Sequence, residues 1–148
     1  MNVDVVSRIE IDAPVVDVAT YSENPDNVPN WYVNIKSAEW KTSPPLAVGS
    51  KIAFVAHFLG RRLAYTYEVV DYSPGTNLVM RTSEGPFPME TSYVWQPIAG
   101  DRTHMTLRNR GEPTGFSKLT APFMASMMRR ANTKDLQLLK RILEKRDA

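Results

Sequence analysis

SKLTAPFMASMMRRANTKDLQLLKRILEK, residues 117–145, is the one stretch of this chain long enough for a helix of many turns. Its apolar residues return at helical spacing: Phe123, Met124, Met127, Met128 and Ala131, then Leu138, Leu139, Ile142 and Leu143. Arg129, Arg130, Lys134, Lys140, Arg141 and Glu144 occupy the opposite side, which therefore faces water. Thr120 has the side chain of an N-cap, and Pro122 falls in the first turn, where a missing N–H costs nothing. Lys140, Arg141, Lys145 and Arg146 crowd the last turns, at the negative end of the helix dipole. The two halves of the apolar stripe differ in character. The second half is Leu and Ile, which pack in one defined way. The first half is Phe and three Met, whose flexible members suit an irregular neighbour.

Upstream, the period changes from helical to alternating. Val3, Val5, Ser7, Ile9 and Ile11 share one face of a half-buried strand. Asp12-Ala-Pro14 then reads as a helix start with Pro14 in the first turn, and Ser22-Glu-Asn-Pro-Asp-Asn-Val-Pro29 breaks that helix. Any helical turn between Asp26 and Tyr32 is brief. Strand patterns follow at Ile35–Lys41, Lys51–Phe58 and Arg62–Tyr72, and again from Leu78, Met89 and Thr103. Short Pro-, Gly- and Ser-rich turns separate them, such as Thr42-Ser-Pro-Pro45, Ser73-Pro-Gly-Thr76 and Ala99-Gly-Asp101. Consecutive strands with tight turns imply an antiparallel sheet. The expected fold is α+β: a curved antiparallel sheet of about seven strands wrapped around one long C-terminal helix, with two short helices after strand 1. Laying the helix across the concave face satisfies every apolar stripe at once.

Bulk composition narrows the functional classes. The 148 residues suit a single domain spanning 1–148, with 43% hydrophobic and 23% charged residues. A net charge of +2 makes no electrostatic case for nucleic acid. There is no cysteine, hence no disulfide and no thiolate chemistry. The N-terminal MNVDVVSRIEIDAP lacks the features of a signal peptide, and no window approaches the roughly 20 apolar residues of a membrane span. These readings lead us to expect a cytoplasmic protein without integral membrane association.

Local signatures occur in a telling order. Ile11-Asp-Ala-Pro14 resembles an "I-x-A-P" strand end, and Ser22–Trp31 resembles a "D-P-x-x-x-P-x-W" segment, with Glu23 where Asp is usual. Val48-Gly49, Gly100-Asp-Arg-Thr103 and the run from Leu138-Leu-Lys140 to Glu144 complete the set. Together they resemble the START-like, or helix-grip (SRPBCC), superfamily, in particular its polyketide cyclase/dehydrase-like branch, over nearly the whole chain. That resemblance implies a cavity between helix and sheet for an apolar or amphipathic small molecule. Relatives in this superfamily include lipid and sterol carriers and aromatic polyketide cyclases, and no universal catalytic motif carries over.

Alternation sorts the sheet independently of the resemblance. The inward set comprises Val5, Ser7, Ile9, Ile52, Phe54, Ala56, Phe58, Leu63, Tyr65, Tyr67 and Val69. From the later strands it takes Leu78, Met80, Thr82, Met89, Thr91, Tyr93, Trp95, Met105, Leu107 and Asn109. It holds no charge and no histidine. Arg62, Glu68, Arg81, Glu90, Arg108 and Arg110 fall on the outer face. Residues 35–41 are ambiguous: either Ser37 and Glu39 or Lys36, Ala38 and Trp40 point inward. Trp31 is expected to anchor the sheet mouth or the long helix rather than touch a ligand.

From these sets the expected ligand site is Phe54, Tyr65, Tyr67, Met80, Met89, Thr91, Tyr93, Asn109, Phe123, Met124, Met127 and Met128. The hydroxyls and the amide would supply hydrogen bonds, and the rest walls. No catalytic residue, metal ligand or cofactor is assigned. His57 and His104 stand apart, without Cys or a helically spaced partner. Tyrosine, with a pKa near 10, is a poor general base without help. Binding or carriage of a lipid- or polyketide-like molecule is therefore the leading reading, by a monomer or a homodimer. A cyclase or dehydratase in which a tyrosine or bound water moves the proton is the alternative. A third reading is an interaction module with a filled core, using Gly85-Pro-Phe-Pro88 or Arg129-Arg130. The carrier reading rests on a hollow that no carboxylate or imidazole enters.

Overall fold

The computed structural model describes residues 3–112 and 121–146. Strand β1 (Val3–Ile11) leads into helix α1 (Val15–Glu23), a 3-10 turn (Pro25–Asn27) and the single-turn α2 (Val28–Trp31). Strands β2 (Ile35–Trp40), β3 (Lys51–Phe58), β4 (Arg61–Ser73), β5 (Asn77–Glu84), β6 (Met89–Ile98) and β7 (Arg102–Gly111) follow. Helix α3 (Ala121–Arg146) ends the described chain. Pro14 takes the N-cap of α1, one position earlier than expected. Thr120, the expected cap of α3, lies outside the described residues.

All seven strands form one antiparallel sheet in the order β1-β7-β6-β5-β4-β3-β2. Hairpins explain β2 to β7. Leu59 (φ 51°) and Gly60 (φ 76°) turn β3 into β4 with both residues in the left-handed region, the geometry that matches strand twist in a two-residue loop. The first strand then joins the last, from Val3 opposite Gly111 to Ile11 opposite Thr103. Register shifts between Thr66 and Tyr67 and between Val69 and Asp71 interrupt the long β4. Such bulges bend a strand and increase its twist, so the sheet curls.

Another irregularity settles the ambiguous strand. The β2–β3 register slips between Ile35 and Ser37. Ile35, Ala38 and Trp40 therefore all pack against the core, while Lys36, Ser37 and Glu39 are exposed. Neither strict alternation is realised. On the outer face Arg108 clamps Asp4 with two hydrogen bonds of 2.9 and 2.6 Å. Glu90 is held between Arg81 and Arg110.

Leu136, Leu139 and Leu143 of α3 pack with Ile11, Val18, Trp31, Ile52, Leu78, Trp95 and Met105 in the main core. The short helices are pinned to the sheet by satisfied polar groups. Trp95 Nε1 donates to Ser22 Oγ (3.0 Å), and that hydroxyl donates to Val18 O (2.6 Å). Thr103 Oγ1 donates to Ala13 O (2.7 Å). At the C-terminal end of α3, Lys140 Nζ donates to Glu10 O (2.8 Å), and Glu144 Oε2 accepts from both Lys140 and Asp12 N. This gives the Lys140–Glu144 spacing a physical purpose: it ties the helix end to the end of β1.

Phe123, expected on the inner stripe, is 48% exposed, whereas Leu139 is wholly buried. Helical geometry explains the difference. Met124, Met128, Asn132, Asp135 and Leu139 recur at three- and four-residue steps and form the face turned to the sheet, which leaves Phe123 at its edge. Leu139→Ala should cost about 2–5 kcal/mol in urea unfolding. Phe123→Ala should cost less than about 1 kcal/mol. Equal losses would contradict this orientation of α3.

Candidate functional site

Helix α3 lies chiefly along β1, so its first half leaves part of the concave face uncovered. A partly open cavity of about 120 Å³ occupies that space. Its sheet-side walls are Ile35, Ala56, Phe58, Leu63, Tyr65, Phe87, Met89 and Asn109. Tyr32 and Asn34 close one side, and Met124, Met128, Ala131, Asn132 and Asp135 of α3 form the roof. A deeper compartment of about 80 Å³ adjoins it, sharing Tyr32, Ile35, Ala56, Tyr65 and Asn109. Phe54, Tyr67, Met80, Thr91 and Tyr93 line its floor. Gly111 leaves room for Met89, since a Cβ there would meet Met89 Sδ at 2.1 Å.

Two hydrogen-bonded sets stand among the polar groups at the wall, beside Tyr65, Asn34 and Asp135. Tyr32 and Tyr93 share a hydroxyl–hydroxyl hydrogen bond of 2.7 Å, beside Trp31, whose ring centroid lies 4.3 Å from that of Tyr32. Trp31 itself is wholly buried in the core and lines neither compartment. The second set is a ladder. The Thr91 hydroxyl lies 3.3 Å from the Tyr67 hydroxyl and donates to Asn109 Oδ1 at 2.6 Å. Asn109 Nδ2 donates to Asn132 Oδ1 at 3.1 Å. Burial pushes the Tyr67 hydroxyl up to about 12, and the neighbouring Thr91 hydroxyl opposes that rise only in part. Burial likewise raises Tyr32, Tyr65 and Tyr93, so all four stay protonated near neutrality.

One acid stands among these neutral groups. Asp135 is 2% exposed and lines the cavity. Its Oδ1 accepts from Val33 N at 2.9 Å. Burial pushes its carboxyl up to about 7, and the Val33 hydrogen bond only partly opposes the rise. Desolvation penalises the charged form, and no cation pairs with Asp135 among the described salt bridges. This carboxyl overturns the expectation of a hollow that no carboxylate or imidazole enters. The sheet contributes neither to the lining, as alternation indicated; the helix supplies the carboxyl.

Of the expected ligand residues, Tyr65, Met89, Asn109, Met124 and Met128 line the outer compartment. Phe54, Tyr65, Tyr67, Met80, Thr91, Tyr93 and Asn109 line the inner one. Phe123 and Met127 line neither; Met127 is half-buried at the edge of the helix face. Sequence reasoning passed over Asn132 and Asp135 because a search for apolar periodicity discards polar residues. Their spacing from Met128 and Leu139 was the available signal. Tyr32, Asn34 and Phe87 come from turns that no periodicity orients. Among the described residues, no group of three or more His, Asp or Glu could hold a metal ion. No helix among them is long and apolar enough to cross a membrane.

A curled antiparallel sheet gripping a C-terminal helix over a cavity defines the helix-grip class. The chain belongs to the polyketide cyclase/dehydrase and lipid transport family, whose model matches residues 2–144. Three similar solved structures share the fold over nearly their whole lengths. A Thermus thermophilus protein has 18% identity and a TM-score of 0.82, covering 98% of this chain and 99% of that one. A START superfamily protein from Mycobacterium smegmatis has 14% identity and a TM-score of 0.82, with 96% and 97% covered. The Zhui aromatase/cyclase from Streptomyces sp. R1128 has 16% identity and a TM-score of 0.79, with 98% and 95% covered. At these identities the likeness is one of fold. No protein of curated function matches the sequence.

Asp135 makes stability depend on pH in a definite direction. Its carboxyl rises from 3.8 to about 7 on folding. Below the lower value both states hold the proton, and the contribution is fully present. Between the two values only the unfolded chain ionises, so stability falls by ~1.4 kcal/mol per pH unit as pH rises. Above about pH 7 the loss is complete. Asp135→Asn keeps an acceptor for Val33 N–H and removes the charge. Its stability relative to wild type should therefore improve by about 2–3 kcal/mol between pH 5 and pH 8 in urea unfolding. The lowered carboxyls of Asp4, Glu90 and Glu144 are common to both proteins and cancel in that difference. An unchanged difference would mean that Asp135 titrates like a surface carboxylate.

Proposed function

We propose that this protein binds a compact amphipathic small molecule in the two compartments between its sheet and α3. The observation that carries this reading is the cavity itself, walled mainly by aromatic, aliphatic and methionine side chains with polar groups at a few fixed points. Size favours a ligand of one or two rings over a long acyl chain, because an apolar cavity of about 150 Å³ accommodates benzene. The expected carrier of a wholly apolar lipid-like molecule falls with the Asp135 carboxyl in its hollow, and what this reading keeps is a small ring compound whose polar groups that acid can meet. Membership of a cyclase and lipid-transport family and the likeness to a START superfamily protein support binding as the common denominator.

Asp135 favours a second reading, catalysis. A carboxyl titrating at about 7 suits general acid–base work, for which tyrosines raised by burial are unsuited. In a dehydration, its carboxylate would take the proton α to a ketone and return it to the departing β-hydroxyl, so that the C–H and C–O bonds break, the C=C bond forms, and water leaves. One of the similar structures is named an aromatase/cyclase, which keeps this reading in view.

Methionine methyl groups test the first reading directly. On adding ethylbenzene to protein with 13C-methyl methionine, the resonances of Met89, Met124 and Met128 should shift. That of Met105, buried in the main core, should not. Ala131→Phe, which fills the roof, should weaken binding more than about 10-fold, because no room remains for the probe. Uniform or absent shifts would refute the binding site. For the second reading, wild-type protein should convert 4-hydroxy-4-phenylbutan-2-one to the enone and Asp135→Asn should not. No turnover by wild type would leave binding as the function.

A further inference from the structure

The polar ladder ends in an open position. Asn132 is 5% exposed, and its Oδ1 is committed to Asn109 Nδ2. Its Nδ2 has no hydrogen-bond partner although it is shut away from solvent. The direction of the ladder is set at its other end. The 2.6 Å separation between Thr91 Oγ1 and Asn109 Oδ1 suits an O–H···O bond and is short for N–H···O. Asn109 therefore presents its nitrogen to Asn132, and Asn132 keeps an amide N–H in hand. An orphaned buried donor is costly enough that folded proteins retain few of them.

One turn further along α3, Asp135 offers the complementary group. Val33 N–H is its one hydrogen-bond partner among the described residues, leaving most of its acceptor capacity unused. Side chains three apart on a helix are neighbours, with about 5–6 Å between their Cβ atoms. Both residues line the outer compartment. The hydroxyl of Tyr32, which also lines that compartment, is already paired with that of Tyr93 and does not compete.

We infer that Asn132 and Asp135 form a donor–acceptor pair that selects, as ligand, a compact ring compound bearing a carbonyl and a hydroxyl. Asn132 Nδ2 donates to the carbonyl oxygen, and the Asp135 carboxyl accepts from the hydroxyl. The inference rests on the binding reading above and specifies its ligand. It also carries an exclusion: a carboxylate on the ligand is repelled, because Asp135 adds a like charge in a site of low polarity.

Isothermal titration at pH 8 with ethylbenzene, acetophenone, 3-ethylphenol, 3′-hydroxyacetophenone and 3-hydroxybenzoate tests this. On wild type, acetophenone and 3-ethylphenol should each bind about 3–10-fold more tightly than ethylbenzene. The hydroxyketone should bind more tightly still, and the benzoate should not bind. Asn132→Leu should abolish the advantage of acetophenone over ethylbenzene while sparing that of 3-ethylphenol. Asp135→Asn should shrink the 3-ethylphenol advantage and admit 3-hydroxybenzoate. The ranking on wild type needs no variant, so a variant that fails to fold does not shelter the inference. Ethylbenzene binding as tightly as its polar analogues overturns the pair and leaves the cavity reading standing. Failure of every probe, ethylbenzene included, overturns both.

Discussion

One helix must cover a sheet far wider than itself. Seven strands spaced about 4.8 Å apart present a face roughly 29 Å wide if flat, against a helix diameter of about 10–12 Å. The sheet answers by curling, helped by the bulges in β4, and the segment from α1 to α2 fills one end of the trough with Trp31 and Tyr32. Helix α3 lies to the β1 side, where its leucines complete the main core. The uncovered remainder, under the first half of α3 and facing β3 and β4, is the cavity. The site is thus a consequence of the mismatch in width, placed by which side of the trough the helix takes.

That vacancy is where the chain departs from the rules that stabilise the rest. Away from it most of the described buried polar groups are answered: Ser22 serves Trp95, Thr103 serves Ala13, and two arginines hold Glu90, while Ser7 Oγ and Trp31 Nε1 are not. At the cavity a carboxyl is buried without a cation, and an amide donor without an acceptor. Both work against stability. Natural sequences concentrate such local conflicts at functional sites and compensate for them elsewhere. Here the compensation comes from the leucines of α3 and the lysine and glutamate that tie its end to β1.

How much of this was legible in the sequence follows from the same distinction. Between β3 and β7 the inward face could be read from alternation, because one face is packed and the other wet, and a one-residue error would have put Arg108 or Glu90 inside. The same rule failed at β2, where the bulge after Ile35 brings Ile35, Ala38 and Trp40 to the core and leaves Lys36, Ser37 and Glu39 exposed. The helix was legible as a helix, and its second half as core. Its first half differs by a fraction of a turn: apolar spacing turns Phe123 inward and gives no sign of Asn132 and Asp135. Hydrophobic periodicity locates a face by its apolar members, so it goes blind where that face is polar by design. The run Met128, Asn132, Asp135, Leu139 keeps the spacing of a buried stripe, and only its chemistry is anomalous.

The anomaly sits at an informative place along α3. Beyond it, Leu136, Leu139 and Leu143 are buried almost completely, and the helix end is tied to β1 through Lys140 and Glu144. Before it, Met124 and Met128 meet the smaller cluster that includes Leu63 and Phe87. Methionine adapts to irregular neighbours at little energetic cost, whereas leucine in a close-packed core does not. The two polar groups are therefore carried at the edge of the rigid half, and the walls that must fit different shapes come from the adaptable half. Polar recognition depends on angles and distances and gains from a fixed mount, while apolar contact tolerates rearrangement. Exchanging the two halves, with methionines beside Leu143 and leucines over the cavity, would leave the composition the same and misplace both properties.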